Sequence, residues 1–147
     1  MKRRTLAVCL VASLAMSGVA AMSAPAGAVA GFADVSAEIF YTEPVQWMVD
    51  NEITTGVSPQ CFGPDQPVTR GQAAAFMWRM ENSPAPAAAH GFGDVVATWQ
   101  QDAVSWMSDS GITTGTTRTT YSPDDPLTRG QAAVLLHRLA GSPSAPT

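Results

Sequence analysis

Apolar residues recur at helical spacing in two similar stretches. Ala73, Phe76, Met77 and Met80 fall at i, i+3, i+4 and i+7, and Ala132, Leu135, Leu136 and Leu139 repeat the series. Each stretch is expected to form a helix with one inward face. An earlier helix is expected at about 41–51 and again at about 100–110, with Val45 and Met48, or Val104 and Met107, on the inner stripe. Between the helices, residues 54–68 and 113–127 carry Gly, Pro and Asp, which favour turns. Each connection also holds one aromatic, Phe62 or Tyr121, placed to plug the core beneath it. The pattern predicts an all-α fold made of helix–loop–helix units.

The units are copies of one another. Residues 31–36 (GFADVS) match 91–96 (GFGDVV) at an offset of 60. After a one-residue gap the offset becomes 59, relating Trp47-Met48 to Trp106-Met107 and Ile53-Thr54-Thr55-Gly56 to Ile112-Thr113-Thr114-Gly115. It also relates Pro64-Asp65 to Pro123-Asp124 and Thr69-Arg70-Gly71-Gln72 to Thr128-Arg129-Gly130-Gln131. The organisation read from this is one module at 31–84, a Pro/Ala linker at 85–90 and a second module at 91–143. Gly111 stands where a left-handed residue would end the first helix of copy two, while copy one has Glu52 there, a costlier choice.

Residues 1–30 differ in kind. Met1-Lys2-Arg3-Arg4 gives a positive start, Leu6 to Met22 is largely apolar, and Ala28-Val29-Ala30 offers a small-x-small cleavage site. This segment reads as a secretory signal peptide, so the protein is expected outside the cell. Its removal takes Lys2, Arg3 and Arg4, leaving 8 − 3 = 5 basic residues against 12 acidic ones, a net charge of −7. Nucleic acid is therefore excluded as a partner, because phosphate binding needs a basic surface. The same removal leaves Cys61 as a single cysteine, which aligns with Thr120 and so does not read as a catalytic thiol.

Thr69-x-x-Gln72 and Thr128-x-x-Gln131 form capping boxes: the hydroxyl accepts from the amide three residues on, and the Gln side chain reaches back to the Thr amide. Capping does not require Arg70 or Arg129. A cation in the first helical turn opposes the macrodipole, so each arginine needs another reason. One is a salt bridge to a loop acid such as Asp65 or Asp124; the other is a pocket in which the guanidinium and unpaired helix amides bind an anion.

Taken together, Phe-x-Asp-Val, Gly/Glu-Ile-Thr-Thr-Gly, Phe/Tyr-x-Pro-Asp and Val/Leu-Thr-Arg-Gly-Gln-Ala-Ala resemble the S-layer homology domain, in two copies that cover nearly all of the chain after residue 30. The resemblance implies tandem modules packed with pseudo-symmetry. It also implies non-covalent binding of secondary cell-wall polysaccharide, commonly pyruvylated, and a location at the cell wall or surface. On that basis Arg70 and Arg129 would pair with the glycan carboxylate, Gly56 and Gly115 would let the backbone approach the sugar, and Trp99 would offer it a face. Two departures stand out: Gly71 and Gly130 replace the family's usual alanine, and Gln72 and Gln131 replace glutamate. Family members often carry three modules, so a homo-oligomer or a third module from another chain would supply the missing neighbour.

Other chemistry is not expected. The acids are scattered rather than paired for glycoside hydrolysis, and no Ser-His-Asp or Cys-His set recurs between copies. His90 and His137 lack metal-ligand spacing, and no cofactor motif is present. Trp47 and Trp106 read as core or module-interface packing, and Trp78, which becomes His137 in copy two, as semi-exposed. The alternative to a glycan-binding module is a self-associating or protein-interaction module of the envelope.

Overall fold

The computed structural model describes residues 29–144, so the expected leader lies outside the described residues except for its last two positions. Among the described residues there are four helices: α1 (Thr42–Asp50), α2 (Arg70–Met80), α3 (Thr98–Asp109) and α4 (Arg129–Leu139). Extended pairing is confined to isolated bridges, so the fold is all-α.

Both predicted capping boxes are formed. Thr69 Oγ1 accepts from the Gln72 amide at 3.2 Å and Gln72 Oε1 from the Thr69 amide at 3.0 Å. Thr128 and Gln131 repeat these two bonds at the same distances. The first helices end as the repeat suggested, with Glu52 at φ 57° and Gly111 at φ 71°.

The Ile-Thr-Thr-Gly turns close in the same way in both copies. Ile53 and Ile112 are buried, and Thr54 and Thr113 accept from the amides of Gly56 and Gly115. Both glycines have φ 77°, and a Cβ there would strike a Phe ring, Phe32 or Phe92, and a loop carbonyl. The aspartates of the two Phe-x-Asp-Val segments clamp the far end of each connection. Asp34 accepts from the Phe62 and Gly63 amides, and Asp94 from those of Tyr121 and Ser122. Each brings an aromatic against its phenylalanine, Phe62 on Phe32 and Tyr121 on Phe92, with ring centroids 5.7 Å apart in both pairs.

Packing does not follow the repeat boundary. The chain divides into one unit running to Gln66 and another beginning at Pro67, so α2 belongs by sequence to copy one and by packing to the unit that holds copy two. The first unit's core gathers Phe32, Val35 and Val45, with Tyr41, Val49 and Phe62 against them. The second unit's core joins Ala74 and Met77 of α2 to Phe92, Val95, Ala103, Val104, Met107, Ile112, Tyr121 and Leu135. Cys61 is buried and disulfide-bonded, rather than the lone thiol expected from the sequence.

The inner stripe of α2 departs from the periodic expectation. Met80 is 54% exposed and Phe76 half-buried, whereas Arg70, Gly71, Ala74 and Ala75 are buried. Helical spacing finds an apolar stripe but is blind to a helix start seated in a neighbouring loop. In α4, Leu135 is buried and Leu136 is 54% exposed.

Glu52→Gly removes a left-handed non-glycine residue from an exposed helix end. It is expected to raise stability by about 1 kcal/mol in urea unfolding followed by far-UV circular dichroism, while Gly111→Glu lowers it by a similar amount.

Candidate functional site

The start of α2 is built into the second unit through its backbone. The Arg70 amide donates to the Asp125 carbonyl at 3.0 Å and the Gly71 amide to the Pro123 carbonyl at 2.8 Å. With the Gln72 amide taken by Thr69, the first-turn donors are all paired. The expected cluster of unpaired amides around Arg70 is therefore absent, because the loop carbonyls occupy it.

The Arg70 side chain follows its backbone inward and is 5% exposed. Its Nε donates to the Tyr121 carbonyl at 2.8 Å, and its guanidinium lies 4.7 Å from the centre of the Tyr121 ring. Tyr121 Oη donates back to the Arg70 carbonyl at 3.1 Å. Burial pushes the Tyr121 phenol up to about 12, against the lowering influence of the Arg70 charge. Tyr121 itself is held by Asp94. Burial raises that carboxyl, but the amides of Tyr121 and Ser122, its own backbone and the charge of His90 outweigh this and leave it below the ordinary aspartate value.

Arg70 pairs with neither Asp65 nor Asp124; a carbonyl and a ring take the place of the expected carboxylate. Its terminal nitrogens form no hydrogen bond among the described residues. The result is a guanidinium fixed at Nε with its outer edge uncommitted.

Gly71 has a packing reason that the sequence did not reveal. A Cβ there would stand 2.6 Å from Gln100 Nε2 and 3.1 Å from the Pro123 carbonyl. Gln100 is buried, with Oε1 unpaired among the described residues. Trp99, the residue before it on α3, is 48% exposed. At the start of α4, Arg129 and Gly130 are exposed, and nothing lies within 4 Å of a Cβ at Gly130. The two arginines written alike in the sequence thus have different surroundings. Gly56 and Gly115 are required by the turns they make, whatever else approaches them.

The remaining aromatics sort by position. Trp106 and Trp78 pack against the second core, but Trp47 is 52% exposed and is not a core residue. The Trp78-to-His137 exchange has a simple basis. Trp78 Nε1 donates to the Pro84 carbonyl at 2.8 Å and His137 Nε2 bonds the Pro143 carbonyl at 3.0 Å, so either ring supplies the one N–H the position uses.

A unit in which each shared motif serves a turn, a cap or a helix seat is a small all-α repeat module, written twice. The profile of the S-layer homology domain matches residues 31–74 and 91–133, and the chain belongs to that family. The family is one of cell-surface and cell-wall association. A 107-residue stretch is also 27% identical to an endoglucanase of Bacillus sp. (strain KSM-635), covering 73% of this chain and 11% of that protein's length.

Tyr121→Phe keeps the ring and removes the bond to the Arg70 carbonyl, with an expected loss of about 1–2 kcal/mol. A raised tyrosine contributes stability that is complete below about pH 10 and is lost as pH rises through about 12. The variant should therefore show a flatter alkaline unfolding profile than the parent. Gly71→Ala is expected to destabilise by about 1–3 kcal/mol through overpacking, whereas Gly130→Ala in dilute protein stabilises by about 0.5 kcal/mol. Equal effects of the two substitutions in urea titrations would contradict this placement.

Proposed function

We propose that the chain is a non-catalytic envelope protein that binds anionic secondary cell-wall polysaccharide non-covalently. The observation that carries the reading is the Arg70 guanidinium, anchored through Nε to the Tyr121 carbonyl and stacked on its ring, with its terminal nitrogens unbonded. A fork held rigid at one edge loses little further freedom on pairing with a carboxylate, and its burial strengthens that pairing relative to water. A pyruvyl substituent on a sugar is a carboxylate of the right kind. Trp99, half exposed on the first turn of α3, offers the sugar ring an apolar face. Arg129 opens the same sequence motif in the second copy but is exposed, and offers the polymer a solvated guanidinium.

The net charge does not oppose this. Acidic residues repel an anionic polymer only over roughly 8–10 Å at physiological salt, so the local cation dominates within the site. The endoglucanase relative does not carry hydrolysis over to this chain, because the similarity spans 11% of that enzyme.

Cosedimentation tests the reading. Native cell walls should retain the chain, and walls stripped of non-peptidoglycan polymers should not. Arg70→Lys keeps the charge and loses the fork, and should weaken retention about tenfold or more with the helical circular dichroism intact. Trp99→Ala should weaken it severalfold. Undiminished retention by stripped walls, or by Arg70→Lys, overturns the reading.

A further inference from the structure

α2 and α4 begin with the same four residues, yet one start is seated and the other is open. At α2 the Arg70 and Gly71 amides reach loop carbonyls. At α4 the amides of Arg129 and Gly130 have no acceptor among the described residues. The burial differs to match. Arg70, Ala74 and Met77 are 5%, 0% and 7% exposed, while their counterparts Arg129, Ala133 and Leu136 are all exposed, Leu136 by 54%.

The complementary gap lies in the first unit. In the second unit the bed for α2 is made by Gln100, Ala103, Met107, Tyr121 and Pro123, every one buried. At the repeat offset these become Tyr41, Pro44, Met48, Phe62 and Pro64. Pro44 is exposed and the other four are half-buried. The carbonyls of Phe62, Pro64 and Gln66, which correspond to the three that hold Arg70 and Gly71, accept no hydrogen bond among the described residues. The chain therefore carries a helix without a bed and a bed without a helix, together with a built example of how the two fit.

We propose that α4 of one copy docks on α1 and the 62–66 loop of a second copy, repeating between chains the seat that α2 takes on α3. In this contact Arg129 donates through Nε to the Phe62 carbonyl and lies over the Phe62 ring. The Arg129 and Gly130 amides donate to the Gln66 and Pro64 carbonyls, and Leu136 covers Met48. Gly130, which meets nothing in a single chain, would pack against Tyr41 as Gly71 packs against Gln100. A second copy is the favoured occupant because the bed and the helix come from one repeated sequence and match position by position. Phe62 lacks the hydroxyl with which Tyr121 bonds back to Arg70, so the contact between chains is weaker than its internal template. It is heterologous: each copy has one helix to give and one bed to offer. The proposal does not depend on the glycan reading, since it concerns mass rather than wall retention.

Light scattering on size-exclusion fractions tests it. At about 100 µM, where small interfaces are populated, the purified chain should show the mass of two or more copies. Leu136→Asp spoils only the helix and Pro44→Asp, in the first turn of α1, only the bed, and each alone should run as a monomer. Mixed together they should form a two-chain species, since the first keeps a bed and the second a helix. Gly130→Ala should weaken association severalfold while raising thermal stability, an outcome that misfolding does not produce. A monomeric parent at this concentration, or association that survives both aspartates, overturns the proposal, and so does a mixture that stays monomeric.

Discussion

The second unit depends on one reciprocal interaction. Arg70 donates to the Tyr121 carbonyl, Tyr121 donates to the Arg70 carbonyl, and the guanidinium lies over the ring between them. A hydrogen bond to a charged group contributes about 1.5–3 kcal/mol and a desolvated cation–π contact about 2 kcal/mol. Those magnitudes are needed, because the arrangement buries a cation and opposes a helix dipole. Asp94 makes the platform possible by holding the Tyr121 and Ser122 amides, so that the phenol ring, the carbonyl and the loop arrive as one rigid piece. The loop then offers the Pro123 and Asp125 carbonyls to the first-turn amides of α2. Remove the ring and the helix loses its socket; remove the arginine and a buried carbonyl loses its donor.

Local features were legible in the sequence because their causes are local. The capping boxes need only Thr and Gln three apart, and both formed. The helix ends needed a left-handed residue at 52 and 111, and both adopted it, Glu52 despite its side chain. The plug aromatics Phe62 and Tyr121 pack on Phe32 and Phe92 as their positions suggested. What escaped the sequence was which loop α2 would sit on. A repeat presents two nearly identical beds, and periodicity along one helix cannot distinguish them. The departure at Gln66, the burial of Gly71 and the exposure of Met80 all follow from that single unreadable choice. For the candidate site, Arg70, Arg129 and Trp99 were found as residue types in a pattern; that Arg70 would be anchored and Arg129 open required the packing.

The contrast between Arg70 and Arg129 shows how little of a side chain's role is set by its immediate sequence. Thr-Arg-Gly-Gln caps a helix in both places with equal bond lengths, so the cap is context-free. The arginine in the second position is not. With Tyr121 beneath it, it is a fixed component of a core; without a counterpart, it is a solvated cation whose pairing with any anion must first overcome rotamer entropy. Fixing the arginine therefore depends on the arrival of a loop from the other repeat, which links the helix start to module packing.

That linkage gives physical sense to the neutral Gln in the third helical position. Glutamate there would complete the box equally well and would suit the helix dipole better. It would also fix a negative charge within the same turn as Arg70 and draw down the positive potential at the guanidinium edge. Gln72 Oε1 accepts from the Thr69 amide at 3.0 Å, so the cap is retained without that charge. In a chain whose acids outnumber its bases, neutral acceptors leave the positive potential of a buried guanidinium undiminished. The partners of the Arg70 side chain are neutral: the Tyr121 carbonyl at Nε and the face of the Tyr121 ring.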